Sequence, residues 1–217
     1  MDYLMSITPT IADGLWVTIS LFLVVNVLSL PLGIVLSLLR LSPFRILRRI
    51  VAVYVYVMRG TPLMLQILFV YYGLPFIPYV GVQLDDTTAA IISFVLNYGA
   101  YLCEIFRGGI QSIPKGQYEA ALVLGYSKPQ TFVRIILPQV IKRILPPISN
   151  ETITLVKDTS LIYVLAMNDL LRAARGIVQR DFSTTPFVVA AAFYLIMTLV
   201  LTYGFQRLEK KYAVYDE

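Results

Sequence analysis

The feature that most constrains this chain is an uncharged apolar stretch that runs from Gly14 to Leu39. About 20 apolar residues in helical form cross the hydrocarbon core of a bilayer, so this stretch is long enough to span it with some tilt. Inside a bilayer the backbone must satisfy its own hydrogen bonds, which helices and closed barrels achieve. The stretch therefore predicts a membrane-spanning helix.

Four more apolar stretches follow and occupy most of the remaining chain. Of the 217 residues, 58% are hydrophobic and 14% are charged, whereas soluble domains carry about 25% charged residues. This composition predicts an all-α membrane protein that forms a single transmembrane domain over 1–217, with no room for a separate soluble domain. The five predicted spans cover about 14–39, 50–79, 87–106, 138–167 and 187–206.

Basic residues cluster on one side of the predicted spans. Because cytoplasmic loops carry an excess of Lys and Arg, the clusters predict an N-terminus outside and a C-terminus inside the cell. The net charge of +5 then belongs to cytoplasmic loops and does not indicate nucleic-acid binding. The clusters that follow the first, third and fifth spans are Arg40, Arg45, Arg48, Arg49, then Arg107, Lys115, Lys128, Arg134, Lys142, Arg143, then Arg207, Lys210, Lys211.

One segment departs from this charge pattern. Residues 168–181 are predicted to form an amphipathic helix outside the membrane, where arginines are contrary to the usual bias. Its arginines are Arg172, Arg175 and Arg180, and the acids that offset part of their charge are Asp169 and Asp181.

A polar, cationic island from Pro114 to Pro138 separates the third and fourth apolar stretches, and it reads PKGQYEAALVLGYSKPQTFVRIILP. Glu, Ala and Leu favour a short helix over Tyr118–Leu124. Gly125 would end this helix because glycine enters the left-handed region at little cost. Ser127 with Pro129 then predicts the start of a second short helix. The alternative is an ordinary solvated loop at the membrane surface.

The spacing within this island resembles the EAA loop of bacterial ABC importer permeases. Glu119-Ala120-Ala121 is followed by three residues and Gly125, then by nine residues and Ile135-x-Leu137-Pro138, and every position matches the family pattern. The resemblance implies a type I ABC importer permease with a cytoplasmic coupling helix between spans 3 and 4, in a loop of about 109–137. In that family the loop docks into the ATP-hydrolysing subunit. The residues to which the resemblance gives an ATPase-coupling role are Glu119, Ala120, Ala121 and Gly125.

A second resemblance narrows the family. Arg59-Gly60-Thr61-Pro62 with Gln66, Asn150-Glu151 and the segment Lys157–Ser160 are similar to segments of the permeases for polar amino acids. The alternative for Arg59 is an arginine that snorkels to the surface beside a helix-starting proline.

These resemblances imply a function and a set of partners. The chain would form the translocation pathway of an ATP-driven importer of polar amino acids, as a dimer with an identical or homologous permease chain. It would be a multipass protein of the bacterial cytoplasmic membrane. ATPase subunits would hold ATP and Mg, and an extracytoplasmic solute-binding protein would deliver the substrate. The chain has no GxxxxGK[ST] phosphate loop, so it is not expected to be an enzyme or to hold a cofactor itself.

Polar side chains at helical spacing lie within two of the predicted spans. Ionisable groups at membrane depth are costly and usually mark a pathway, so two stripes that face each other predict a substrate cavity. Its carboxylates would hold an ammonium group or a cationic side chain, and Lys157 or a helix end would hold the carboxylate. The predicted substrate-binding residues are Asn97, Tyr98, Tyr101 and Glu104 in the third span and Glu151, Thr154 and Asp158 in the fourth.

Structural roles for the same residues stay open at this point. Glu104 can pair with Arg107 one turn on, and Lys157 with Asp158 can hold a broken helix end. The two tyrosines can pack between spans instead of on a substrate cation.

A membrane enzyme and a transporter without an ATPase are the two alternatives to an ABC importer. A membrane enzyme is disfavoured because the chain has no His and one Cys, Cys103, which leaves no catalytic or metal-binding constellation. An ion-coupled carrier or channel without an ATPase is the alternative function, although such carriers usually show internal repeats and more spans.

Overall fold

The computed structural model describes residues 2–79 and 81–213, and the regular structure within them is helical, with no strand. The all-α prediction is confirmed. The described residues include three helices that are long and apolar enough to cross a membrane, and these correspond to the first, third and fifth predicted spans. They are α1 (Asp2–Leu41), α4 (Asp86–Gln111) and α9 (Thr185–Ala213).

The second apolar stretch is not one continuous helix. It begins as α2 (Arg45–Gly60) and resumes as α3 (Leu63–Leu68), which continues through a π turn and a 3₁₀ turn to Phe76. The chain bends by 107° between the two parts. The break originates at Pro62, because a proline ring disfavours helical backbone at the preceding residue, and Thr61 is extended with φ −117° and ψ 148°. If the bent pair counts as one span, the described residues contain up to four apolar spans.

The fourth predicted span is a more polar helix. α7 (Leu137–Asp158) follows a π turn (Phe132–Ile136) and continues as a 3₁₀ segment (Thr159–Leu165) that ends at a left-handed Ala166 with φ 62°. Its 22 residues reach about 33 Å at 1.5 Å per residue. It is not among the apolar spans counted in the described part of the chain. The total of five spans and their orientation therefore stay predictions.

α1 and α4 form the centre of the bundle, where their backbones lie close together. A Cβ atom added to Gly33 would lie 2.5 Å from Cβ of Leu102, and one added to Gly99 would lie 2.7 Å from a methyl carbon of Leu32. Small residues at such a crossing let membrane helices approach closely. The largest core cluster joins these helices to their neighbours and includes Val25, Ile67, Phe94, Leu155 and Ile162.

The two ends of the bundle differ in what surrounds α1. At one end, which we call the α8 end, the start of α1 packs on α8 (Leu170–Asp181), and Leu170 donates its backbone N–H to Oγ1 of Thr18 at 3.4 Å. At the other end, the last turn of α1 meets the C-terminal part of α4. The short helices α5 (Lys115–Val123) and α6 (Lys128–Thr131) follow α4, and we call residues 115–131 the knob.

Candidate functional site

The first helix of the knob ends at a glycine. The N–H of Tyr126 donates to the carbonyl of Ala121 and the N–H of Gly125 to that of Leu122, both at 3.0 Å, which is the bond pair of a Schellman motif. Gly125 has φ +83°, a conformation that side chains with a Cβ adopt only with strain. The predicted helix end at Gly125 is confirmed.

The second helix of the knob begins with a capping box. Gln130 donates its backbone N–H to Oγ of Ser127 at 3.5 Å, and Ser127 donates its own N–H to Oε1 of Gln130 at 3.0 Å. Pro129 lies in the first turn, where its missing N–H costs nothing. The predicted start at Ser127 is confirmed, and Ser-x-x-Gln is the spacing that would also have identified Gln130.

The knob exposes an apolar ridge. The ridge residues are Leu122, Val123 and Leu124, with exposed fractions of 50%, 88% and 74%. Ala121, which precedes the ridge, is buried and fixes the orientation of the helix. Glu119 and Ala120 are exposed. Contiguous exposed apolar side chains usually mark a surface that binds a partner.

A buried amide network holds the break between α2 and α3. Pro62 has no N–H to donate to the Met58 carbonyl four residues earlier. That carbonyl instead accepts hydrogen bonds from Nε2 of Gln66 at 2.9 Å and from Nδ2 of Asn97 at 3.0 Å. Asn97 also donates to Oε1 of Gln66 at 3.0 Å, and Gln66 donates to Oγ1 of Thr61 at 2.8 Å. Asn97 of α4 therefore faces this break.

Glu104 is neutralised by arginines from two helices. Arg107, one turn on in α4, donates its Nε to both carboxylate oxygens at 3.1 Å. Arg40 of α1 places its Nε 3.7 Å from the same carboxylate. The pairing with Arg107 agrees with the structural alternative, and the contact with Arg40 was not predicted.

Arg59 lies in the last turn of α2, beside an open cleft. The central carbon of its guanidinium lies 5.0 Å from the centroid of the Tyr101 ring, within the range of a cation–π interaction. Among the described residues it has no hydrogen-bond or ion-pair partner. The cleft has a volume of about 410 Å³ and is lined by Arg40, Ala52, Val55, Tyr56, Arg59, Gly60, Tyr101 and Glu104.

α7 contributes two carboxylates with different surroundings. Asp158 accepts a hydrogen bond of 2.8 Å from the hydroxyl of Tyr98, which is 4% exposed and stacks on Phe94. Glu151 is half-buried and lies within electrostatic range of Arg59 and Asp158. Within the described part of the chain, Glu151 has no hydrogen-bond or ion-pair partner.

The predicted substrate-binding residues thus form two groups. Those bonded inside the fold are Asn97, Tyr98, Glu104 and Asp158. Those with exposed or unbonded polar groups are Tyr101, Glu151 and Thr154. Their roles in binding stay predictions. Sequence reasoning undervalued Arg59, although it is the one charged residue in the apolar stretch 50–79.

Comparison with protein families gives one extended match. A family model described as "Binding-protein-dependent transport system inner membrane component" matches residues 29–214. The arginine transport system permease protein ArtQ of Bacillus subtilis is 39% identical over 204 residues, which cover 94% of this chain and 92% of ArtQ. The glutamine transport system permease protein GlnP of Escherichia coli is 37% identical over 211 residues, which cover 95% of this chain and 94% of GlnP.

Solved structures give a consistent result. The crystal structure of an amino acid ABC transporter with histidines superposes with a TM-score of 0.88 at 31% identity, over 96% of this chain and 97% of that one. An inward-facing structure of the MetNI methionine ABC transporter superposes with a TM-score of 0.72 over 98% of this chain and 99% of that one. At 17% identity, this second likeness concerns the fold alone.

Proposed function

Because the chain belongs to the family of binding-protein-dependent transport system inner membrane components, we propose that it forms the translocation pathway of an ATP-driven importer of polar amino acids. The chain is a permease subunit of the type I ABC fold, and ATP is hydrolysed by a separate subunit. Relatives named for arginine and glutamine and a related transporter with histidines support this substrate class. Family membership leaves no reason to prefer a carrier or channel without an ATPase.

The observation that carries the substrate proposal is the pair of unbonded opposite charges, Arg59 and Glu151. An ion at membrane depth that lacks a partner is costly, so such a group usually serves a ligand. Arg59 holds the carboxylate of the amino acid, in place of the Lys157 or helix end expected from sequence, and Glu151 holds a cationic side chain. Tyr101 lines the cleft beside Arg59, and the exposed Thr154 follows Glu151 by one turn of α7.

The bonded residues have a positioning role in this proposal. Asn97 holds the broken helix beside Arg59, and Glu104 keeps α1 and α4 together. Tyr98 and Asp158 fix α7 against α4. Neutralised or buried groups of this kind offer little charge to a substrate.

The remaining parts of the proposal concern orientation and partners. Five spans with the N-terminus outside place the knob in the cytoplasm of a bacterial cell, where ATPase subunits with ATP and Mg bind its apolar ridge. A second permease chain, identical or homologous, completes the pathway, and a solute-binding protein delivers the amino acid from outside. The knob residues that serve this coupling are Glu119, Ala120, Ala121 and Gly125.

Uptake by the reconstituted transporter tests the substrate site. Glu151→Gln should lower uptake of labelled arginine or lysine by at least about tenfold and that of glutamine much less, because a hydrogen bond to a charged group contributes about 1.5–3 kcal/mol. Arg59→Gln should lower uptake of all of these substrates to the same extent, because they share the carboxylate.

Asp2→Asn is the control, since it removes an exposed carboxylate far from the cleft and should change neither uptake. Equal losses of arginine and glutamine uptake in Glu151→Gln, or no loss, would remove the preference for a cationic side chain. ATP-independent uptake by the wild-type chain alone would overturn the proposed function itself.

A further inference from the structure

One face of α8 carries two exposed arginines. Arg172, Arg175, Gly176 and Gln179 are all exposed, and their spacing of i, i+3, i+4 and i+7 puts them on one side of the helix. We call these four residues the arginine face. The acidic residues at the starts of α1 and α4, at the same end, are Asp2, Asp13, Asp85 and Asp86.

The acids within and beside α8 do not neutralise this face. Asp169 is buried and accepts hydrogen bonds from the backbone N–H groups of Leu171 and Arg172 at the helix start. Asp181 is bonded by Arg180, whose guanidinium lowers the pKa of that carboxyl to about 2. The pair Arg180–Asp181 therefore carries no net charge at neutral pH.

Arg172 and Arg175 keep their charge available to a partner. Arg175 lies over the ring of Tyr163 at 5.5 Å, a contact that leaves its N–H donors unused. In the part of the chain that the structure describes, neither arginine is within ion-pair distance of a carboxylate. A cavity of about 700 Å³ lies beside them, between α8, the start of α1 and the segment around Ala166.

The opposite face of α8 is packed into the protein. Leu170, Ala173, Ala174 and Ile177 are buried against α1 and α9. A helix that lies on a membrane surface would turn its apolar face to the lipid. In α8 that face is already covered, so the arginine face points to water and suits a soluble partner better than a bilayer.

We infer that the arginine face of α8 and the adjoining cavity form the docking surface for an acidic patch of the extracytoplasmic solute-binding protein. The inference rests on the proposed function, which supplies this partner and places α8 outside. Arginines bind carboxylates through two parallel hydrogen bonds, which fixes the orientation of the partner. Complementary charge also speeds association, which suits a carrier that must dock and leave in each cycle.

The test measures docking separately from hydrolysis. The permease is assembled with its ATPase subunits in nanodiscs of zwitterionic lipid. The solute-binding protein used is the one that stimulates ATP hydrolysis by the wild-type complex. The double variant Arg172→Glu with Arg175→Glu should weaken binding of that protein by at least about tenfold at low salt. It should leave basal ATP hydrolysis unchanged, and the loss should shrink above about 0.5 M salt, where charges are screened.

Two matched variants control for charge and for position. Replacing both arginines by lysine keeps the charge, so binding should be reduced much less than in the glutamate variant. Arg45→Glu with Arg49→Glu reverses two exposed arginines at the start of α2, at the end of the bundle away from α8, and binding should change little.

Three outcomes overturn one claim or the other. If no solute-binding protein stimulates the wild-type complex, the proposed function fails. If the glutamate variant binds the protein as tightly as the wild type does, the docking surface is misassigned. If the difference appears only in nanodiscs with anionic lipid, the arginine face binds lipid headgroups and the inference is wrong.

Discussion

The knob and the polar interior of the bundle are both built from residues that stand out in the sequence, but they are assembled in opposite ways. The hydrogen bonds that shape the knob join close neighbours, such as Tyr126 to Ala121 and Ser127 to Gln130. Those that shape the polar interior join residues far apart in the sequence: Asn97 and Met58 are separated by 39 residues, and Tyr98 and Asp158 by 60.

This difference determines what a sequence pattern can reveal. In the knob, spacing fixes geometry, so the role of Gly125 follows from its position after a short helix. In the polar interior, the type of a polar residue does not reveal its role, because distant neighbours decide which groups are neutralised. The two regions should therefore respond differently to substitution. Knob variants should lose coupling while the bundle stays folded, and variants of the bonded interior residues should lose stability.

The largest effect is expected in the knob, from Gly125→Val. Gly125 has φ +83° and nothing lies within 4 Å of an added Cβ, so the damage comes from backbone strain of about 1–3 kcal/mol rather than from a clash. The strain should distort the turn between α5 and α6. Uptake should fall by at least about tenfold, with loss of substrate-stimulated ATP hydrolysis and normal amounts of protein in the membrane.

Two variants show whether this loss comes from the turn. Gly116→Val adds the same side chain in α5, where there is open space and no positive φ, and should keep uptake. Gly125→Asn should keep most of it, since Asn tolerates the left-handed region. Normal substrate-stimulated hydrolysis in Gly125→Val would break the comparison, because the knob would then not be the coupling element.

The next largest effect is expected in the interior, from Asn97→Leu. This change leaves Oε1 of Gln66 without a donor and removes one of two hydrogen bonds to the Met58 carbonyl. A buried polar group left unsatisfied costs about 1–3 kcal/mol, so the Tm of the purified protein should fall by about 2–12 °C. Uptake should fall in proportion to the amount of folded protein, equally for arginine and glutamine.

Asn26→Leu is the matched control for Asn97→Leu. The amide of Asn26 donates to the Phe22 carbonyl one turn earlier in its own helix, so its loss should change the Tm by less than about 2 °C. If Asn97→Leu kept the wild-type Tm but abolished uptake, Asn97 would belong to the substrate site. The division between bonded and unbonded interior residues would then have to be redrawn.

The same division explains how much of the structure could be predicted. The three long apolar helices, the Gly125 turn and the start at Ser127 depend on composition and short spacing, and these predictions are confirmed. Pro62 indicated an interruption of the helix, but the sequence did not predict that the chain bends by 107° between α2 and α3. A proline shows where helical bonding stops, but the direction in which the chain continues depends on Gln66 and Asn97.

Charges in the polar interior were harder to predict for the same reason. The pairing of Glu104 with Arg107 follows from helical spacing, whereas its contact with Arg40 depends on how α1 crosses α4. Arg59 and Glu151 were each visible as ions in apolar stretches. Their lack of a bonded partner is known only when the other charges have been placed.

The smallest effect is expected from Ser127→Ala, which measures how much the cap of α6 contributes to the shape of the knob. The Oγ of Ser127 accepts one exposed hydrogen bond of 3.5 Å, while the bond from its own N–H to Gln130 survives the change. The loss should be near the low end of about 0.5–2 kcal/mol for a helix cap, which lowers uptake by less than about threefold. Ser127→Asp, which restores a capping oxygen, should recover it. If Ser127→Ala were as damaging as Gly125→Val, the cap rather than the glycine turn would determine the shape that the ATPase binds.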